Sequence, residues 1–231
     1  MNGLMNSGAA AELATIPLGT GMDFVRTYGI PTKFDDAVRT ALDGTARTID
    51  IGRVSYRRWD GGEAERYVAN VGSVGMSAAV AQRANGMSKA LGGRATFFYA
   101  LVRVFFEWDN TVVTVQLDDG EQREERLHDV IVANGQWHGG AMHLAPDASP
   151  DDGLFDVVFI GDITKLDFVT TAPKIYSGKY LAHPKVDVAR AKTVRVDAAE
   201  RLPIELDGEQ VGTTPVRFEM VPGAVRIRVP R

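Results

Sequence analysis

Not one cysteine occurs among the 231 residues. Disulfides, thiolate nucleophiles and cysteine-bound zinc are excluded together, and a reducing cytoplasm is the simplest compartment. Basic charge is also short: 26 Lys and Arg against 30 Asp and Glu give a formal net charge of -4. The cations are scattered, so the basic stripe that nucleic-acid binding requires is absent, and a small-molecule partner is expected instead. No apolar run approaches the roughly 18 residues of a spanning helix. The start, Met1-Asn2-Gly3-Leu4-Met5, lacks the basic segment and apolar core of a secretion signal.

What the chain does have is an apolar fraction of 45%, enough to pack one large domain or two small ones. Its organising stretch is Ile16-Pro17-Leu18-Gly19-Thr20-Gly21-Met22-Asp23-Phe24. The pattern predicts a short strand over 14–17, a tight glycine loop and then a helix. Gly19 and Gly21 let backbone approach a ligand, the Thr20 hydroxyl can donate to a phosphate oxygen, and Asp23 either caps the helix or helps hold a divalent metal. Two glycines around a threonine also occur in ordinary turns.

Downstream, a helix is expected over 35–42 with Val38, Ala41 and Leu42 on one side, followed by strands at 48–54 and 66–71. Gly72 and Gly75 then bracket a turn into helices at 77–91 and 94–108. The second carries Phe97, Phe98, Leu101, Val102, Phe105 and Phe106 and reads as a core helix rather than a lipid-contacting one. After Asp109, short strands separated by tight turns run to the end, broken by one helical interlude at 165–181, with the last two strands at 216–221 and 224–229. This density predicts an antiparallel sandwich or barrel-like body.

Three further loops carry candidate chemistry. In Asn134-Gly135-Gln136-Trp137-His138-Gly139-Gly140 the glycines require sharp turns or close approach. His138 and nearby His143 lack a third ligand at a sensible spacing and read as structural or solvent-facing rather than metal-binding. Asp147, Asp151 and Asp152 with Ser149 form either a solvated turn or a hard-cation site before the strand at 154–160. Asp207-Gly208-Glu209 is a hairpin-like turn whose glutamate can project into a cleft as a general base.

In this order the loops resemble the soluble lipid kinases, the family of bacterial diacylglycerol kinases and sphingosine kinases. The resemblance covers nearly the whole chain: 17–24 with Arg26, 49–52, 70–75, Asn134-Gly135 with Gly139-Gly140, 146–154 and 207–209. It implies an α+β fold: an antiparallel β-sandwich lipid-kinase domain with attached helices (49–213), the trailing part of an α/β nucleotide-binding domain (1–48), and C-terminal strands (214–231) returning to the first domain. It implies ATP and Mg²⁺ as cofactors and a lipid acceptor, diacylglycerol or a relative. Peripheral contact at the inner face of the membrane and a homodimer are expected as well.

By the same resemblance, Gly19, Thr20 and Gly21 contact nucleotide phosphate. Asp23 and Asp50 belong to the carboxylate and water network around catalytic Mg²⁺, and Glu209 is the proton acceptor. Ser149, Asp152 and Leu154 match a second Mg²⁺ site, and Arg26 and Lys89 assist near the cleft. Phosphoryl transfer asks mainly for positioning and charge neutralisation, which these residue types supply. Two departures stand out. Met22 replaces the family's Asn, and no Gly-Gly-Asp-Gly-Thr loop precedes Asn2-Gly3-Leu4. This chain alone is therefore expected to be inactive, with a non-catalytic lipid- or protein-binding remnant as the alternative.

Overall fold

The computed structural model describes residues 1–19, 21–87 and 93–231. Thr20 and Lys89 lie outside the described residues. The chain begins with α1 (Asn2–Ser7), β1 (Glu12–Leu13), α2 (Asp23–Thr27) and α3 (Phe34–Asp43), then β2 (Thr45–Arg57), β3 (Glu63–Val68) and β4 (Val71–Gly75). The pair α4 (Met76–Asn85) and α5 (Gly93–Glu107) leads into β5 (Thr111–Leu117), β6 (Arg123–Leu127), β7 (Asp129–Ala133), β8 (Trp137–His138) and β9 (Met142–His143). It finishes with β10 (Phe155–Ile160), α6 (Lys165–Thr171), two short 3-10 turns, β11 (Val186–Ala191), β12 (Thr193–Ala198), β13 (Pro203–Leu206) and β14 (Glu209–Val229).

Among the described residues, twelve strands form one sheet, antiparallel except where β1 runs parallel to β14. The sheet curls into a half-barrel around Val54, Phe155, Val157, Phe159, Ile204 and Phe218. Middle strands such as β7 are buried at every position, because Ile131 and Ala133 pack with Leu144 and Tyr180 on the other face. Strands with one solvated face alternate: in β12, Val194 and Val196 are buried while Arg195 and Asp197 face solvent. A second core lies under α1 and α2, where Val25, Tyr28 and Ile30 meet Ile49, Ile51, Val225 and Ile227. The ladder between β2 and β14 passes through both cores.

Several expectations are corrected. Residues 71–75 form a strand rather than a turn; a Cβ on Gly72 would meet Phe218 at 2.5 Å, so the glycine serves close packing. The strand expected at 14–17 is instead the short β1 just before it. The two C-terminal strands are one, with a register shift around Pro222-Gly223 in place of a break. Helix α3 buries Ala37 and Thr40 and leaves Leu42 exposed. Helix α5 is only partly a core helix: it buries Ala100, Val104 and Phe105 but leaves Phe98 66% and Phe106 73% exposed. Its apolar side chains span a wider arc than the surface that α4 and α6 cover.

Candidate functional site

The site grows from turns that meet where the two cores adjoin. Asp207 and Gly208, at φ 50° and 90°, form the left-handed turn between β13 and β14. The Asp207 carboxylate accepts hydrogen bonds from the backbone N–H groups of Ala69 (2.8 Å), Asn70 (2.9 Å) and Val71 (3.1 Å). The Asp-Gly dipeptide is thus more than a hairpin signal, because its side chain is bolted to the β3–β4 junction. Asn70 extends the bracing by donating from Nδ2 to the carbonyl of Trp137 at 2.6 Å. Asn134 is buried and donates to the carbonyls of Asp50 and Ala69. Gly135 lies beneath Asn70, since any Cβ there would collide with Asn70 Oδ1.

Asp23 opens α2 without capping it. Its two oxygens accept instead from the N–H groups of Gly140 (2.8 Å) and Ala141 (2.7 Å), so it holds the loop between β8 and β9. In that hairpin His143 stacks on Trp137 at 3.8 Å between ring centroids, and His138 points the other way, its Nε2 3.2 Å from Glu205 Oε2. Burial opposes a charge on the His138 ring, but the carboxylates of Glu205, Asp207 and Asp23 outweigh it and raise its pKa to about 9.

Asp50 is buried in β2. Its carboxylate accepts from the Gly153 and Gly223 N–H groups, both at 2.7 Å, and its own N–H donates to the Pro150 carbonyl. Glu209, with its side chain 67% exposed, pairs with Arg66 at 2.8 Å. Asp23, Asp50 and Glu209 therefore have three different sets of partners. Among the described residues no group of three or more His, Asp or Glu side chains is placed to hold a metal ion. Among the described residues each oxygen of Asp23 accepts one N–H, which leaves lone pairs for a hard cation or its water.

The loop at 146–154 is engaged differently. Ser149 donates to Asp151, Asp151 pairs with Arg47 at 2.7 Å, and Asp152 accepts from the Leu154 N–H and pairs with Arg190. Ser149 and Asp152 thus face partners within the protein, Asp151 and Arg190 respectively. Gly19 is open, with nothing within 4 Å of a Cβ, while a Cβ on Gly21 would lie 3.2 Å from Asp23 Oδ2. Arg26 Cζ lies 5.9 Å from the Trp137 ring centroid.

Glu205 is the residue the sequence did not announce. It is 1% exposed, accepts from Ser73 Oγ at 3.0 Å and from the Gly208 N–H, and faces His138. A carboxylate flanked by Ile204 and Leu206 in a strand is the signal that marks it.

Residues 70–229 match the YegS C-terminal NAD kinase beta sandwich-like domain, and residues 1–54 match the diacylglycerol kinase catalytic domain. A relative named probable lipid kinase YegS-like, from Pseudomonas aeruginosa, is 34% identical over 221 residues, covering 95% of this chain and 68% of that protein. A diacylglycerol kinase of Mycobacterium tuberculosis is 28% identical over 226 residues, covering 97% of this chain and 71% of that protein. A crystal structure of a diacylglycerol kinase from Bacillus anthracis superposes with a TM-score of 0.69 at 19% identity, over 99% of this chain and 70% of that one. The chain belongs to the lipid kinase family that comprises the diacylglycerol kinases and YegS-like lipid kinases.

Proposed function

We propose that the protein works as an ATP-dependent lipid kinase with diacylglycerol as acceptor. In the reaction the lipid hydroxyl oxygen bonds to the γ-phosphorus, the bond to the β-phosphate oxygen breaks, ADP leaves, and Glu209 takes the hydroxyl proton. The observation that carries this reading is the anchoring of the turn before Glu209: three N–H groups hold Asp207, so Glu209 projects from a fixed base. To reach a hydroxyl, Glu209 has only to leave Arg66, and an exposed pair of this kind is worth about 0–1 kcal/mol. Mg²⁺, bound with ATP, would neutralise charge on the transferred phosphoryl group, with Asp23 as one carboxylate that has lone pairs to offer. Residues 1–48 are read as the trailing part of the nucleotide-binding unit, 49–213 as the lipid-binding sandwich and 214–231 as strands returning to the first unit.

The apolar residues left open on α5 suit contact with a bilayer. Phe98, Tyr99 and Phe106 lie exposed there, and Leu166 and Val169 on α6 join them, with the Phe105 and Phe168 rings tilted against each other, centroids 4.7 Å apart, between the two helices. Among the described residues no helix is long and apolar enough to cross a membrane, so this contact would be peripheral. The separate engagement of Asp23, Asp50 and Glu209 favours a second reading, a lipid-binding module without catalysis. Phosphate transfer from ATP to diacylglycerol in mixed micelles decides between them. The kinase reading expects that a form carrying the Gly-Gly-Asp-Gly-Thr loop turns over lipid, and that Glu209→Gln abolishes this turnover while ATP affinity by calorimetry is kept. Lipid binding without ATP binding would establish the module instead.

A further inference from the structure

The ion pair between His138 and Glu205 stands outside the reaction as written, yet it links both sides of the site. On one side, His138 belongs to the β8–β9 hairpin, whose loop Asp23 holds by two N–H groups. On the other, Glu205 lies at a register shift between β13 and β14, and its second oxygen accepts the N–H of Gly208, the residue before Glu209. Such a bulge re-aims a side chain, and here the carboxylate comes to lie under the turn. Ser73, directly opposite Glu205 in β4, fixes the carboxylate from below. Three polar contacts, Asp23 to Gly140, His138 to Glu205 and Glu205 to Gly208, joined by short backbone steps at 138–140 and 208–209, therefore connect Asp23 to Glu209. The parallel tie through Asn70 joins Asp207 to Trp137 with uncharged donors.

We propose that His138 is a positioning residue that fixes the turn carrying Glu209 against the loop held by Asp23. This rests on the reading of Asp23 and Glu209 as groups that act on one phosphoryl transfer. The carboxylates facing His138 are Glu205 and Asp207 from the β13–β14 hairpin, Asp23 from α2 and Asp129 from β7. A cation between them keeps acidic elements from separating, and because the pair is 15% and 1% exposed at its two side chains, solvent screens it little.

The test is amide hydrogen exchange on the whole chain near neutral pH for wild type, His138→Ala and His138→Gln. In His138→Ala the amides of Gly208, Glu209 and Gln210 should exchange roughly tenfold faster while those of Val157 to Phe159 keep their protection. His138→Gln, which retains a donor for Glu205, should recover most of the protection. Equal protection in the Ala variant, loss spread evenly over the chain, or failure of both variants to fold would assign His138 to general stability and overturn the proposal. In the transfer assay His138→Ala should lower kcat by about 10- to 100-fold with KM for ATP unchanged. A wild-type form carrying the Gly-Gly-Asp-Gly-Thr loop that transfers no phosphate would sink the kinase reading, and the exchange result on this chain would still decide whether His138 positions the turn.

Discussion

Asp50 offers the sharpest test of how the site is built, because family resemblance and observed contacts assign it different work. The resemblance puts it in a magnesium network, whereas here its two oxygens accept from Gly153 and Gly223, 103 and 173 residues away in sequence. Hydrogen bonds to a charged acceptor contribute about 1.5–3 kcal/mol each. Both donors are only partly buried, so water recovers some of the loss, and Asp50→Ala should cost about 2–4 kcal/mol. Asp50→Asn is the discriminating variant. Its amide can accept at one atom only and turns an N–H donor toward the second glycine, so about half that cost should remain. Urea unfolding with exchange at the Gly153 and Gly223 amides measures both. If Asp50→Asn were as stable as wild type, or Asp50→Ala cost less than about 1 kcal/mol, the bracing role would be wrong.

The charge on His138 sets a pH window. Its pKa is about 9 in the folded state and about 6.5 unfolded, so the folded chain keeps a proton that the unfolded chain releases between those values. The stability from this pair is complete below pH 6.5 and is lost as pH rises through 9, by about 3 kcal/mol or less. Asp129, raised by burial to about 7, also titrates inside this window, but it is present in both wild type and His138→Gln. Unfolding midpoints at pH 6.5 and 9.5 should therefore diverge more for wild type than for His138→Gln, and parallel shifts would refute the assignment. For the α5–α6 face, replacing Phe98, Phe106 and Leu166 by Ser should weaken sedimentation with phosphatidylglycerol vesicles by roughly tenfold per side chain, with stability unchanged. Unaltered vesicle binding would remove that face from membrane contact.

Much of the framework was legible because it is local. The start of α2 at Asp23, strand β5 and the Asp207-Gly208 turn follow from periodicity and turn chemistry alone. Strand β4 was hidden because its two glycines mimic a turn, and only Phe218 explains why Gly72 must lack a side chain. Helix α5 misled because a wide apolar arc says nothing about how much of it finds a neighbour. The site shows the same split. Its residue types stood in the motifs, but the partners of Asp23, Asp50 and Asp207 come from distant loops. A single buried acid such as Glu205 has no motif, only the His138 ring of the separate β8–β9 hairpin facing it.

Strand β14 runs 21 residues without interruption, and its ladder with β2 carries Val216 and Phe218 in one apolar cluster and Val225 and Ile227 in the other. A shared beam of this kind leaves no seam at which the halves can swing or melt apart. Heating should accordingly give one calorimetric peak.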